Sequence, residues 1–250
     1  MRARKPGRMI LTALLAFSLL TPPVHATPVD DALAALLRGQ PDAAVSLLAG
    51  RSDAPSLALL ARAYVGQSVF ATTDAVKRTL YARSEATARA ALVADARNAD
   101  AHVELANALA LQLPGTGLVK ATQVGREIRA LYERAVALDP AQARGWMGLG
   151  AWHAQALGLG SLVALAAGAT EQAMQDGHRR AIELEPNEVF YRLTYADDLL
   201  LLARTQPRRA EALKAEARGV LKAAAGLTPQ TYWQNYDLKQ VRERLKTLGG

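Results

Sequence analysis

The chain has 250 residues, half of them hydrophobic, with 30 basic and 23 acidic side chains and no cysteine. The absence of thiols excludes disulfide scaffolds, thiolate metal sites, cysteine nucleophiles and a lipidated N-terminal cysteine. The length is enough to bury a large core without covalent ties, and the formal charge of +7 has to be read in two parts.

Residues 1–26 have the order of a secretory leader. Arg2, Arg4, Lys5 and Arg8 come first, and Met9 to Leu20 follow as an uncharged apolar run. Pro22 and Pro23 break it, and Val24-His25-Ala26 offers small residues for cleavage before Thr27. The run is shorter than the roughly 20 apolar residues that a span needs, so no integral membrane span is expected in the mature chain. The leader takes four of the 30 basic residues, leaving 26 against 23 acidic ones, a net +3. That modest surplus is spread along the chain, which argues against a nucleic-acid partner.

From residue 55 onward a repeat organises the sequence. Leu60-Ala61-x-x-Tyr64, Leu105-Ala106-x-x-Leu109, Leu149-Gly150-x-x-His153 and Tyr195-Ala196-x-x-Leu199 recur at 45, 44 and 46 residues. On a helix these positions share one face, where the small residue lets a neighbouring helix come close. A second series interleaves with it. Ala91, Ala135, Ala181 and Ala224 each stand five residues before a helix-ending position, at Ala96, Pro140, Pro186 and Pro229. Two helices per repeat follow, and the stripe Val124, Ile128, Leu131, Tyr132 and Ala135 shows the helical period. No segment alternates as a strand does. The fold class predicted is all-α, an α-solenoid of stacked hairpins with a repeat of about 45 residues, at least eight helices and a single domain over 27–250.

Two interruptions fall after first helices, at Pro114-Gly-Thr-Gly117 and at Gly158-Leu-Gly160. The uncharged stretch Ala154 to Ala169 is expected as a buried helix, with a loop that contacts a partner or a membrane as the second reading. A charged amphipathic helix over 237–248 is expected to cap the solenoid, with Tyr232, Trp233 and Tyr236 just before it packing beneath the cap.

Asp139-Pro140, Trp146, Leu149 and Gly150, with Tyr132 and Ala135 before them, resemble the signature of the tetratricopeptide repeat family. The phrases around Pro186 and Asp95 are similar but looser, with Arg192 and His102 where that family prefers Trp. The resemblance covers about 55–235, although the unit is longer than that family's usual one. Around Leu149-Gly-Ala-Trp-His153 the chain also resembles long-repeat relatives of the regulator-of-microtubule-dynamics proteins. Both resemblances imply a scaffold that works by binding.

Residues that would support chemistry are scarce. His102, His153 and His178 are far apart and lack the partners of a metal motif, so neither a metal nor a cofactor is expected. There is no G-x-S-x-G elbow, Gly158-Leu-Gly160 lacks a third glycine, and Pro114 to Lys120 does not form a phosphate loop. Asp197 and Asp198 are adjacent, which sends them to different sides of a helix.

The first helix of each pair is expected to line the concave side. Asn107, Arg144, Met147, Gln155 and Asp197 are the candidate partner-binding residues there. Changing Asn107, Arg144 and Asp197 together is expected to cost little stability, as for ordinary surface positions. In relatives that clamp a C-terminal carboxylate, an asparagine stands where Asn107 does. Val103 replaces the clamp's lysine, so the resemblance does not extend to a free carboxylate terminus. The functional expectation is an exported, periplasmic or secreted scaffold that is not an enzyme and takes a protein or peptide in its groove. The alternative is a solute-binding or transport-accessory subunit, for which a deep enclosed pocket would speak.

Overall fold

The computed structural model describes residues 27–249, so the expected leader lies outside the described residues. Twelve α-helices and one short 3-10 turn make up the described chain, and no strand occurs in it. They are α1 (Pro28–Leu37), α2 (Pro41–Leu48), α3 (Ala54–Phe70), α4 (Asp74–Ala94), α5 (Ala99–Leu111) and α6 (Leu118–Leu138). There follow α7 (Ala143–Gly158), α8 (Ser161–Ala167), α9 (Glu171–Leu184), α10 (Val189–Thr205), α11 (Ala210–Ala225) and α12 (Tyr232–Thr247).

Local chemistry sets the helix starts. The side chains of Asp53, Thr73, Asn98, Thr170 and Thr231 each accept a backbone N–H of the first turn that no carbonyl could reach. Thr27 and Asp30 form a reciprocal capping box on α1. Helices then pair as α1–α2, α3–α4, α5–α6, α7–α9 and α10–α11, with α8 inserted in the fourth pair and α12 closing the stack.

The small-residue series is where these pairs touch. Ala61, Ala106 and Ala196 are fully buried, as are Ala91, Ala135, Ala181 and Ala224. Between α7 and α9 the approach is closer still. A Cβ on Gly150 would lie 2.9 Å from the Met174 carbonyl oxygen, and one on Gly177 would lie 2.7 Å from the Trp146 carbonyl oxygen. Beside this contact the buried His178 bonds Asp198 through Nε2 at 2.9 Å and stacks on Tyr195. Asp197 points elsewhere, as the adjacency of the two aspartates implies.

Two expectations need correction. The capping helix starts at Tyr232, five residues early, because Thr231 provides its N-cap, so the three aromatics belong to its first turns. The stretch Ala154 to Ala169 is not one buried helix. α7 ends at Gly158, Gly160 turns the chain at φ 108°, and α8 runs separately to Gly168 at φ 67°; only glycine takes such φ values at little cost.

The ends of the solenoid meet. Trp233 of α12 donates its indole N–H to the Leu36 carbonyl at 2.6 Å, and its ring lies 5.9 Å from that of Phe70 at the end of α3. Tyr232 covers Gly39, where a Cβ would collide with its ring.

The concave face as candidate functional site

Four first helices bring charge to one place. Arg144 of α7 forms ion pairs with Glu104 and Asp100, both on α5. Glu104 is only 2% exposed and Arg144 18%. Burial works against the Arg144 charge, but Glu104 and Asp100 outweigh it and raise the guanidinium pKa above its ordinary value. Gln142 adds a hydrogen bond to Asp100 at 3.1 Å. Tyr191 of α10 donates to Glu185 at 2.8 Å, and burial, reinforced by the Glu185 charge, pushes its hydroxyl pKa up.

Arg62 of α3 reaches the same centre. Its strongest influence is the Arg144 charge, which lowers its pKa together with burial, while Glu104, Tyr191 and Asp100 act in the opposite sense. Among the described residues no hydrogen bond or ion pair engages it. Charged and polar groups of α3, α5, α7 and α10 thus act on one another here. Nearby, Gln234 of α12 donates to Glu188 at 3.1 Å. Asp237, one turn further on, is nine-tenths buried. Desolvation, with the Glu188 charge adding to it, pushes its carboxyl up to about 7.

The five sequence candidates have different fates. Arg144 lies at this centre, yet it is a buried ion-pair partner, and the expectation that changing it costs little does not hold. Met147 is a correction: it is packed with Ala143, Ala181 and Tyr191, where its flexible side chain fills the gap between α7, α9 and α10. Asn107 accepts the Tyr132 hydroxyl at 2.6 Å, and Asp197 receives two bonds from Arg244 of α12, at 2.8 and 3.2 Å. Gln155 is exposed, on the side of α7 near Asp198, whose carboxyl burial holds above its ordinary value. Arg144 and Gln155 are eleven residues apart, three helical turns, and so share one stripe of α7.

Sequence reasoning missed Arg62, although a signal was present. It follows the small residue of its packing phrase just as Asn107 and Asp197 follow theirs.

Two small clefts occur among the described residues. One of about 240 Å³ has Leu109, Leu113 and Val124 at its base and Glu85, Arg89 and Glu127 at its rim. Another of about 310 Å³ lies between Leu200, Arg204, Arg244 and Leu248. Both are at or below the small end of ligand pockets, roughly 300–1,000 Å³. Among the described residues no group of three or more His, Asp or Glu side chains is placed to hold a metal.

Comparison with known proteins adds two findings. Residues 47–249 match the family described as regulator of microtubule dynamics protein 1-3. Among solved structures, a thermophilic TPR protein of Thermus thermophilus superposes with a TM-score of 0.60 at 15% identity, over 86% of this chain and 97% of that one. At that identity the likeness is one of fold: a tetratricopeptide-like helical solenoid. A search of curated proteins finds no match.

Proposed function

The chain belongs to the regulator of microtubule dynamics protein 1-3 family, and we propose that it is an exported, non-enzymatic scaffold holding a protein or peptide on the concave face of its solenoid. A tetratricopeptide-like repeat fold suggests an interaction scaffold in general terms. The observation that carries the reading for this chain is Arg62. A part-buried guanidinium with no hydrogen bond or ion pair among the described residues, beside a saturated Arg144, is a group that an incoming polar segment can engage. The flanking Asp100, 55% exposed, adds a polar contact at the same place. The small clefts favour this reading over solute transport.

Export rests on the basic, apolar and small-residue order of residues 1–26. Cleavage after Ala26 would leave Thr27, the residue that caps α1, as the new N-terminus with its capping box intact. N-terminal sequencing of protein from the envelope fraction checks this; Met1 retained in a membrane pellet would reject it.

Capture from envelope extract with the wild-type chain and with Arg62→Glu tests the binding role. Arg62 makes no hydrogen bond or ion pair among the described residues, so the variant, compared at equal helicity, should lose the captured protein. Equal recovery by a well-folded variant would take the site off this face.

A further inference from the structure

We propose that α8 docks this protein onto an anionic lipid bilayer. The starting point is an inverted helix. α8 turns Ala164 inward, where it packs with Ala156 and Ala169, and holds its leucines outward. Leu162 is 81% exposed and Leu165 79%, one turn apart on the same side, and Leu159 just before the helix is 69% exposed. A helix of a water-soluble surface is expected to do the reverse. The leucines of this uncharged run at 159, 162 and 165 therefore do not serve the core, which takes its alanines instead.

The geometry fits a lipid surface better than a protein cleft. α8 lies against the end of α7 between two glycines of positive φ, packed through Ala164 with its leucines free, so it offers an exposed apolar side and not a groove. Its outward side chains are aliphatic, without the Trp, Tyr and Arg that anchor protein interfaces. Its backbone N–H and C=O groups are largely bonded within the helix or at its ends: the Ala169 N–H bonds the Ala164 carbonyl, and Arg129 of α6 bonds the Ala167 carbonyl. Among the described residues no helix is long and apolar enough to cross a membrane, so contact would be at the surface.

Charge supplies the second argument. Arg129 on Ala167, and the Trp152 indole on the Gly125 carbonyl, fix residues 125–129 of α6 beside the base of α8. Arg209 on Glu171 fixes the start of α11 beside the start of α9, just after α8. In these stretches the acidic groups are already paired: Glu127 with Arg89, Glu133 with Arg129, and Glu171 with Arg209. The exposed Arg126 and Arg208, and Lys120 further back on α6, form no ion pair among the described residues. The exposed leucines are thus flanked by segments that carry the unpaired Arg126 and Arg208, the combination that an anionic leaflet attracts.

The test uses the cysteine-free sequence of the full chain. Leu162→Cys carries an environment-sensitive fluorophore. Val93→Cys, 89% exposed where α4 ends at the opposite edge, serves as reference. Vesicles of equimolar phosphatidylcholine and phosphatidylglycerol should blue-shift the probe at 162 and leave that at 93 unchanged. Adding Arg126→Gln and Arg208→Gln should weaken the response by roughly tenfold or more. The proposal is overturned by no shift at 162, by an equal shift with phosphatidylcholine alone, or by equal shifts at both sites. A shift that grows with protein concentration without vesicles also overturns it, by pointing to a second copy of the chain. Because the reporters read α8 alone, none of these results bears on the concave face.

Discussion

Trp233 bonds Leu36 across 197 residues of sequence, and that hydrogen bond ties the last helix to the first. Removing the donor while keeping an aromatic ring, in Trp233→Phe, leaves the Leu36 carbonyl without this bond and should cost about 1 kcal/mol. Trp233→Ala also removes the ring from Leu36, Gly66 and Phe70, and about 2–4 kcal/mol is expected for a partly exposed aromatic. Thermal melts measure both. Energy transfer between dyes on introduced cysteines at the two ends should show them separating in Trp233→Ala and not in Trp233→Phe.

The glycines of α7 and α9 should respond with the opposite sign to one in α11. Gly177→Ala puts a methyl group against the Trp146 carbonyl and the Gly150 backbone, where no flexible side chain can give way. Gly150→Leu is expected to cost about 1–3 kcal/mol or more for the same reason. Gly219, inside α11, has nothing within 4 Å of where a methyl group would stand, and Gly219→Ala should stabilise by about 0.4–1 kcal/mol. Denaturant midpoints of the three variants check the pattern.

The small-residue series explains why so much of this was legible from sequence. A helix contact of about 45-residue period leaves its mark as Ala or Gly at fixed spacing, and every alanine of the second series is fully buried. Charged positions were harder to read. Arg144, Asn107 and Asp197 look like a solvated groove until their partners Glu104, Tyr132 and Arg244 are known, and those come from other helices. Closure of the ends left no signal at all. The acceptor for Trp233 is a backbone carbonyl, and its arrival at α12 depends on small rotations summed over the intervening helices. α8 was misread because its leucines face away from the core they were assumed to build.

The Arg144–Glu104 pair should behave as a buried couple. Arg144→Met alone leaves Glu104 uncompensated in the interior and should cost about 3–5 kcal/mol. Adding Glu104→Leu should recover most of that loss, since a hydrophobic replacement of both partners is often neutral. Additive costs in the double variant, measured by urea unfolding, would contradict the account.

Asp237 sets a pH dependence whose sign follows from its environment. Burial and Glu188 raise its folded pKa from the ordinary 3.8 to about 7, so over that window the folded chain binds the proton more tightly than the unfolded one. Its contribution is therefore most favourable near the low end and is lost as pH rises toward about 7. Asp237→Asn removes this dependence. It should stabilise by on the order of 2–4 kcal/mol at about pH 7.5 and change little near pH 4. Unfolding curves at both pH values decide it, and an equal effect at both would show that the carboxyl is not the cause.

Site-specific photo-crosslinking tests the central claim, that the concave face holds the partner, most directly. A photoreactive residue at Gln155, exposed on the Arg144 stripe of α7, is compared with one at Val93 on the opposite edge. The account predicts a discrete crosslinked species from position 155 in the envelope, lost when Arg62→Glu is added, and none from position 93. A partner crosslinked from 93 and not from 155 would contradict it.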